Sequence, residues 1–387
     1  MLVDGKRELA YTAKITDIKP IEGADNIELV IINDGWRCIA KKTEFEKGDT
    51  CVYFEIDSKL PEKEWSEFLR PKKFKVKTLK LNKFNTVSQG LALPLSAFTD
   101  VAIPTDVGIP VTNLLGVTYA VEEDNERKAS DKDLKYKSMA SRHPKLAKTW
   151  WWRKIWKLPR GKEFLFLLFG KKKDKPRGFP SFVSKTDEER CENQPWRLGD
   201  KKIYLATEKL DGTSATYALK KLGKNKYEFY VCSRNVRQLD KDQACAHDTN
   251  VYWEMEEKYH IEDTLRDLLI KENLEWICFQ GEIVGKVQGN PLELPETDLY
   301  LFNFITSDKG RWPSDVSAIM LAPYGLKWVP ILGEMTIPET MEELKAQSRG
   351  KSVVNPNVYR EGIVYRTLDG QDSFKNVDPQ YLIDHHC

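Results

Sequence analysis

The sequence predicts an α+β protein in which a small N-terminal β-barrel precedes a mixed domain of strands and helices. Short strand patterns separated by turns fill the first 120 or so residues, and a basic, tryptophan-rich stretch follows them. Strand and helix patterns then alternate from Gly178 onward. The 387 residues suffice for about two or three domains with real cores. We therefore expect a division into 1–120, 121–178 and 179–387.

The N-terminal region shows β-rich segments at regular spacing. These segments are Tyr11–Ile18, Ile27–Ile32, Arg37–Ala40, Thr50–Ile56, Lys75–Leu81 and Gly90–Leu95. Asn33-Asp34-Gly35, between the second and third segments, is a good hairpin signal. This many strands in so short a region indicates a Greek-key barrel, of which the OB fold is a common kind. An unrelated small β-barrel is the alternative.

The segment 121–178 differs in composition from both flanking regions. Basic residues interleave with tryptophans over Trp150–Lys157, and a second basic cluster covers Lys171–Lys175. We interpret the segment as a linker or insertion that carries one or two helices. The plainest interpretation is an amphipathic hairpin packed on one of the domains. The alternatives are binding to nucleic acid, through backbone phosphates and stacked bases, and binding to a membrane surface.

The C-terminal region alternates strand and helix patterns over about 205 residues, which indicates a mixed α+β domain. The predicted strands are Lys201–Glu208, Thr213–Leu219, Tyr227–Ser233, Trp276–Ile283, Leu299–Thr306, Leu326–Pro330 and Gly362–Leu368. Helices are predicted at Asp248–Asp267 and Met341–Ser348.

The composition is typical of a globular protein. The net charge is +2, from 61 Lys and Arg against 59 Asp and Glu, so the chain is no global polycation. Its start lacks an apolar signal core, and no stretch reaches the ~20 apolar residues of a membrane span. We expect a cytoplasmic protein without a membrane partner. The seven scattered cysteines suggest no zinc site, and Cys51, Cys232 and Cys278 are expected to be buried thiols.

The most informative short motif is Lys209-Leu210-Asp211-Gly212. A lysine amine can attack phosphorus, a carboxylate two residues later can help to hold a metal, and glycine lets the backbone approach a nucleotide closely. The motif alone is weak, because roughly one chain in ten of this length would contain it by chance.

Five further segments follow this motif in order. They are Phe229–Asn235, Phe279–Gly285, Leu299–Phe304, Glu361–Arg366 and Ser373–Lys375. In isolation each has a plainer interpretation: Arg234 as a surface charge, Glu282 and Glu361 as solvated carboxylates, and Phe302 as a core residue. Their order and context favour a single site.

That order resembles the covalent nucleotidyltransferases, the superfamily of ATP-dependent ligases and mRNA capping enzymes. Within it the chain is most similar to RNA ligases with an N-terminal OB module, of the Deinococcus and Naegleria type. The resemblance covers 179–387 strongly and about 10–115 moderately, the latter through Ile21–Asp25 and Val87–Leu91. It implies an OB-like barrel followed by an ATP-grasp-like nucleotidyltransferase domain.

The resemblance also implies roles for residues at matching positions. Lys209 would be the nucleophile, with Lys375 as a second catalytic residue facing the phosphates. Three carboxylates would hold Mg²⁺ or Mn²⁺: Asp211, Glu282 and Glu361. For the nucleotide, Glu208 would lie at the adenine edge and Phe302 would stack on adenine. Arg190 and Lys375 would bind phosphates, and Arg234 would lie near the ribose. Glu282 would bind the ribose hydroxyls if it does not hold the metal.

Two departures from the family pattern bear on function. Relatives often carry two basic residues in the last motif, whereas this chain has Ser373 at the earlier position. The chain also ends twelve residues after Lys375, which leaves no room for the C-terminal OB domain of DNA ligases and capping enzymes. This second departure favours an RNA ligase over both.

The resemblance implies three phosphoryl transfers: AMP passes from ATP to Lys209, then to an RNA 5′-phosphate, and is finally displaced by a 3′-hydroxyl. Lys209 must lose a proton first, and we expect nearby cations, a metal and Lys375, to lower its pKa. The partner would be RNA with nicked or broken duplex ends, with a DNA template strand as one possibility, and the protein a monomer. The alternatives are a DNA ligase, a capping guanylyltransferase, and a non-enzymatic RNA-binding protein with a degenerate second domain.

Overall fold

The computed structural model describes residues 1–3, 6–84, 86–120, 144–158, 160–169, 178–234, 236–238 and 250–386. The N-terminal strands are β1 (Ala10–Pro20), β2 (Ile27–Ile32), β3 (Trp36–Lys41), β4 (Thr50–Phe54), β5 (Thr78–Leu81), β6 (Thr86–Gln89) and β7 (Leu91–Pro94). Five of them form an antiparallel sheet in the order β7-β4-β1-β2-β3, and β5 pairs with β6. The predicted segments contain six of these seven strands, with shifts at their ends, whereas β6 was not predicted.

The long strand β1 makes this sheet curl into a half-barrel. Its first half pairs with β4 and its second half with β2, and the register shifts between Ile15 and Asp17. A shift of this kind bends a strand and increases its twist. The far edge of the sheet returns toward β6, where the Ile39 amide donates to the Ser88 hydroxyl at 3.1 Å. The α+β class with an N-terminal OB-like barrel is confirmed.

The predicted hairpin turn between β2 and β3 is present, and its glycine lies where the N-terminal barrel meets the second region. Asn33 and Asp34 have φ values of 50° and 57°, the left-handed pair that suits a tight turn between twisted strands. Gly35 does not have a positive φ. A Cβ atom added to it would instead lie 2.0 Å from the carbonyl oxygen of Glu192, so the absence of a side chain lets the two halves of the protein meet there.

The C-terminal region contains two sheets. Its main strands are β8 (Tyr204–Lys209), β9 (Thr213–Gly223), β10 (Lys226–Ser233), β11 (Trp276–Val284), β12 (Asp298–Thr306), β13 (Ile331–Met335), β14 (Gly362–Thr367) and β15 (Ser373–Val377). One sheet has the order Glu189–Arg190, β15, β14, β8, β13, and the other the order β10, β9, β11, β12, Gly310–Arg311, with Lys327–Trp328 also paired to β12. Because β8 and β9 are consecutive but lie in different sheets, the Lys209 motif lies at the passage between the sheets.

Helices cover the outer sides of these sheets and form the segment between the two regions. They are α1 (Pro144–Ala147), α2 (Trp150–Trp156), α3 (Gly161–Phe169), α4 (Val251–Tyr259), α5 (Ile261–Lys271), α6 (Ser314–Leu321), α7 (Met341–Ser348) and α8 (Pro379–His386). The sequence predicts one helix where α4 and α5 stand, but His260 has φ 48° and ends α4 in a left-handed conformation. Among the described helices, none is long and apolar enough to cross a membrane.

The segment between the two regions is described only in part. It contains α1, α2 and α3, which is more than the one or two helices predicted, although α1 is a single turn. The predicted basic cluster Lys171–Lys175 and residues 121–143 lie outside the described residues. Cys51, Cys232 and Cys278 are buried free thiols, as predicted.

The N-terminal barrel is joined to the second region through Asn193. Its side-chain oxygen accepts from the Tyr11 hydroxyl at 2.8 Å and from the Trp36 indole at 2.6 Å, and its amide donates to Glu55 at 3.0 Å. Tyr11, Trp36 and Glu55 are almost fully buried. Because buried polar groups are costly to leave unpaired, this contact holds the barrel in one orientation over the sheet that contains β8.

Candidate active site

The two sheets and the barrel enclose a cavity of about 860 Å³. All nine residues that the sequence singles out for a site line it, although they come from elements spread over almost 190 residues of chain. They are Arg190, Glu208, Lys209, Asp211, Arg234, Glu282, Phe302, Glu361 and Lys375. Asn235, which follows Arg234 in the motif singled out from the sequence, lies outside the described residues.

Lys209 is the last residue of β8 and is held by the start of the neighbouring strand. Its Cα pairs with that of Gly362 in the antiparallel ladder, which places Glu361 beside it. The Lys209 ammonium donates to Glu361 Oε2 at 2.6 Å, and both side chains are largely buried. A lysine in this position is fixed in direction by a short charge-assisted hydrogen bond.

An acidic corner, formed by Glu361, Glu282 and Asp211, surrounds this amine. Burial opposes the charged form of Lys209, but the carboxylates of Glu361, Glu282 and Asp211 together raise its pKa above the ordinary value. Burial and the neighbouring Glu361 and Asp211 raise the pKa of Glu282 to about 8, against the attraction of Lys209. The corner therefore carries more negative charge than its one lysine can balance.

The expected lowering of the Lys209 pKa by Lys375 is thus wrong, because the three acidic neighbours outweigh that lysine. The lowering expected from a metal stays a prediction. Burial, together with Arg190 and Arg7, lowers the pKa of Lys375 itself to about 7. The cavity therefore has an acidic corner at Lys209 and a basic side at Lys375.

The basic side is built by two neighbouring strands. Arg190 lies in a two-residue strand parallel to β15, with its Cα directly opposite that of Lys375. Arg190 is buried, its guanidinium lies 5.7 Å from the centre of the Trp36 ring, and its Nε has no hydrogen-bond partner in the described structure. A buried donor without a protein partner is suited to donate to an acceptor atom of a bound ligand.

An apolar wall lies on another side of the cavity. Phe302 packs with Leu210 and Val329 in a small hydrophobic cluster. Glu208 is fully buried nearby: its Oε2 accepts from the Val353 amide at 2.8 Å, while its Oε1 has no partner among the described residues. Burial raises the pKa of Glu208. An aromatic ring next to a buried, unpaired carboxyl oxygen suits a flat group with an N–H edge, such as a purine base.

Arg234 links the site to the N-terminal barrel. It forms an ion pair with Asp187, and its Nη1 donates to the Tyr119 hydroxyl at 3.1 Å. The Tyr119 ring lies between two guanidinium groups, 5.1 Å from that of Arg234 and 5.5 Å from that of Arg7. Tyr119 and Arg7 line the cavity, so the barrel supplies part of its wall.

A buried arginine stands opposite the serine that replaces the family's usual basic residue. Arg366 and Ser373 face each other in the ladder between β14 and β15, and both bind Glu188. Arg366 lines the cavity and is almost fully buried, and burial lowers its pKa to about 10. A positive charge is therefore present beside position 373, but on the adjacent strand.

The residues that sequence reasoning missed include Arg7, Tyr119 and Arg366, which line the cavity, and Tyr381, which contacts the site through Asp211. The Tyr381 hydroxyl, on α8, donates to Asp211 Oδ2 at 3.1 Å. Arg366 ends the Glu361–Arg366 segment that the sequence analysis singled out, so that motif could have flagged it. Arg7 and Tyr119 reach the cavity, and Tyr381 reaches Asp211, through tertiary packing, and no local pattern marks them.

The barrel, the two-sheet domain and a lysine among carboxylates in a shared cavity define a nucleotidyltransferase of the polynucleotide-ligase class. The structure of the Naegleria gruberi RNA ligase with PPi is 30% identical in sequence, with a TM-score of 0.74 over 98% of this chain and 99% of that one. An RNA ligase family model matches residues 202–377, and a model described as an OB-fold domain matches residues 9–95. The chain belongs to the RNA ligase family.

Two further structures of the Naegleria gruberi enzyme show the same likeness. A mutant with AMP and Mn has a TM-score of 0.73 at 30% identity, and a mutant with ATP and Mn has a TM-score of 0.73 at 29% identity. Each comparison covers 98% of this chain and 99% of the other. No curated protein matches the chain in sequence.

Proposed function

We propose that this protein is an ATP-dependent ligase that joins 3′-hydroxyl and 5′-phosphate ends of RNA, with nicks in duplexes as the main substrate. The observation that carries the proposal is the position of Lys209, an amine directed by Glu361 into a cavity that has an acidic corner, a basic side and an apolar wall. The Naegleria gruberi ligase is known with ATP and Mn, with AMP and Mn, and with PPi, which supports these ligands for this chain.

In the first step the neutral Lys209 amine forms a bond to the α-phosphorus of ATP, and the bond to the leaving pyrophosphate breaks. The amine gives up a proton, so the product is a lysyl-AMP phosphoramidate. An oxygen of an RNA 5′-phosphate next takes the AMP from Lys209, and a 3′-hydroxyl then displaces AMP to form the phosphodiester. Together the three transfers replace one difficult condensation by easier steps that pass through covalent intermediates.

The other side chains would bind and orient the substrates. Phe302 would stack on the adenine ring. A carboxyl oxygen of Glu208 would accept a hydrogen bond from the amino edge of the base. Arg190 and Lys375 would bind phosphates, and Arg234 would lie near the ribose and the RNA end. A phosphate near Lys375 would raise its pKa and keep it charged.

The acidic corner fits a hydrated divalent cation. Three carboxyl groups face one ammonium, and burial, together with the neighbouring Glu361 and Asp211, raises the pKa of Glu282. No group of three His, Cys, Asp or Glu side chains among the described residues is arranged to hold a metal directly. This suits Mg²⁺ or Mn²⁺ that keeps most of its waters and is held by Glu361, Glu282 or Asp211. When bound, the ion would offset the carboxylates that keep Lys209 protonated and polarise the phosphate.

A labelling and sealing assay tests the proposal. The protein is incubated with α-labelled ATP or GTP, and then with nicked RNA or nicked DNA duplexes, with and without a DNA template strand. We expect label on the protein from ATP only, and sealing of RNA 3′-hydroxyl ends. Labelling by GTP would indicate a capping enzyme, preferential sealing of DNA a DNA ligase, and binding without labelling a non-enzymatic RNA-binding protein.

Changing Tyr381 to phenylalanine should slow the first step without removing it. The variant leaves Asp211 without its 3.1 Å hydrogen bond from α8, and loss of such a supporting contact costs about tenfold in rate. The rate of label transfer from ATP measures this effect. Tyr365→Phe is the matched control, since its buried hydroxyl donates to Gln347 at 2.8 Å outside the cavity. Equal rates for the two variants would show that Tyr381 only stabilises the fold.

The expected division of the chain into 1–120, 121–178 and 179–387, and the monomeric state, remain proposals. The barrel and the two-sheet region supply separate walls of the cavity, which supports a division between them. Limited proteolysis and sedimentation of the full chain would test both.

A further inference from the structure

Helix α2 carries an exposed face on which basic residues and a tryptophan stand together. Trp150, Arg153, Lys154 and Lys157 follow one another at helical spacing, so they share one side of the helix. All four side chains are exposed, Trp150 by 74%. The Lys154 ammonium lies 4.8 Å from the centre of the Trp150 ring. We call these four residues the α2 outer face.

The opposite side of α2 packs within its own hairpin. Trp152 and Leu165 of α3 are buried against each other, and the rings of Trp152 and Trp156 stack at 6.4 Å. Trp152, Ile155 and Trp156 of α2 therefore belong to a small local core, whereas Trp150 and Trp151 are exposed. The outer face is not needed for this packing, so its composition calls for another explanation.

The charge of the hairpin is strongly one-sided. Residues 144–169 contain seven Lys and Arg and a single acidic residue, Glu163, although the whole chain is nearly neutral. Within the described part of the chain, no acid forms an ion pair with Arg153, Lys154 or Lys157. Cations that line up without acidic partners complement a polyanion, and an exposed indole among them can stack on a base.

We infer that the α2 outer face is a second RNA-binding site, which takes the phosphate backbone and an unstacked base of the strand that reaches the cavity. The inference rests on the proposed function, because RNA is the polyanion that a ligase of this family must hold.

The chain path brings the hairpin close to the cavity at its C-terminal end. The segment ends at Gly178, which forms a bridge with the cavity residue Val236. Nine residue steps separate Phe169 from Gly178, so α3 ends at most about 30 Å from that bridge. One RNA strand can therefore contact the α2 outer face and the cavity together.

A membrane surface is the competing partner for such a hairpin. An interfacial helix turns its apolar side toward lipid, whereas α2 turns Trp152 into the hairpin core and its cations outward. Helix α3 does expose Phe164 and Leu168, so the experiment includes lipid.

The test compares variants of the full chain in binding to a fluorescent nicked RNA duplex. Lys154→Ala/Lys157→Ala should raise Kd about tenfold and reduce the slope of log Kd against log salt by about 1.5, because two phosphate contacts are lost. Trp150→Ala should raise Kd about fivefold and leave the slope unchanged, since stacking is not ionic. Label transfer from ATP should stay within about twofold, because these residues lie outside the cavity lining.

Leu222→Ala/Lys224→Ala is the matched control, since it removes an exposed apolar residue near the end of β9 and an exposed lysine from the turn that follows. Unchanged RNA affinity in the α2 variants, with sealing intact, would overturn this inference alone. The inference would also be overturned if the α2 variants lost binding to anionic phospholipid vesicles but kept their affinity for RNA. A wild-type protein that takes no label from ATP would instead overturn the proposed function.

Discussion

Replacing Lys209 with alanine is expected to abolish the transfer of label from α-labelled ATP to the protein. The result is not trivial, because the cavity holds a second lysine whose pKa is nearer neutrality. Lys375 has a pKa of about 7 and would more often be the neutral amine, whereas carboxylates keep Lys209 protonated in the free protein. The motif around Lys209 and the hydrogen bond from its ammonium to Glu361, at 2.6 Å, favour Lys209 as the nucleophile. Mass spectrometry of the labelled peptide distinguishes the two lysines.

Two control variants make this prediction sharp. Lys209→Arg keeps a cation beside Glu361 but cannot form the phosphoramidate at neutral pH, so it should fold and remain unlabelled. Lys327→Ala removes an ion pair with Asp298 outside the cavity and should be labelled normally. Lys209→Ala should also still seal a nick that already carries an AMP-capped 5′-phosphate, because that step no longer needs the lysine. Label on Lys375 in the alanine variant would refute the proposed mechanism.

The sequence predicted the elements that local pattern determines. Ile27–Ile32 and Met341–Ser348 have the predicted bounds, since strand alternation and helix capping act over a few residues. The break at His260 and the helix Pro379–His386 were missed. Both depend on tertiary packing: Leu382 of that last helix, for example, is buried against Ile56 of the distant barrel.

The site shows the same division between local and tertiary information. Ordered motifs were enough to select nine residues that line one cavity, although those residues lie at strand ends, in strand interiors and in loops. The sign of the Lys209 pKa could not be obtained in this way. It depends on how closely Glu361, Glu282 and Asp211 approach one amine, and these residues come from separate parts of the chain.

Changing Glu282 to glutamine should make the ligand-free protein more stable and the enzyme nearly inactive. In the folded protein the Glu282 pKa is about 8, above the ordinary value of 4.5, so folding favours its protonated form. Stability from this group is therefore complete below about pH 4.5 and is lost as the pH rises toward 8. Glutamine does not ionise and escapes this loss. Since Glu282 is only half-buried in the cavity wall, we expect a gain of about 1 kcal/mol at pH 8, or roughly 1 °C in Tm for a chain of this length.

Thermal stability and label transfer should change in opposite directions only if Glu282 belongs to the reaction site. Thermal unfolding with a chelator present, at pH 5.5 and pH 8, should show a Tm difference that grows with pH, while label transfer from ATP falls at least about a hundredfold. Glu334→Gln makes the same chemical change on exposed β13 and should alter neither property. A variant that is both less stable and less active would make Glu282 a structural residue. Opposite changes would show that the unbalanced charge of the acidic corner serves ligand binding at the expense of stability.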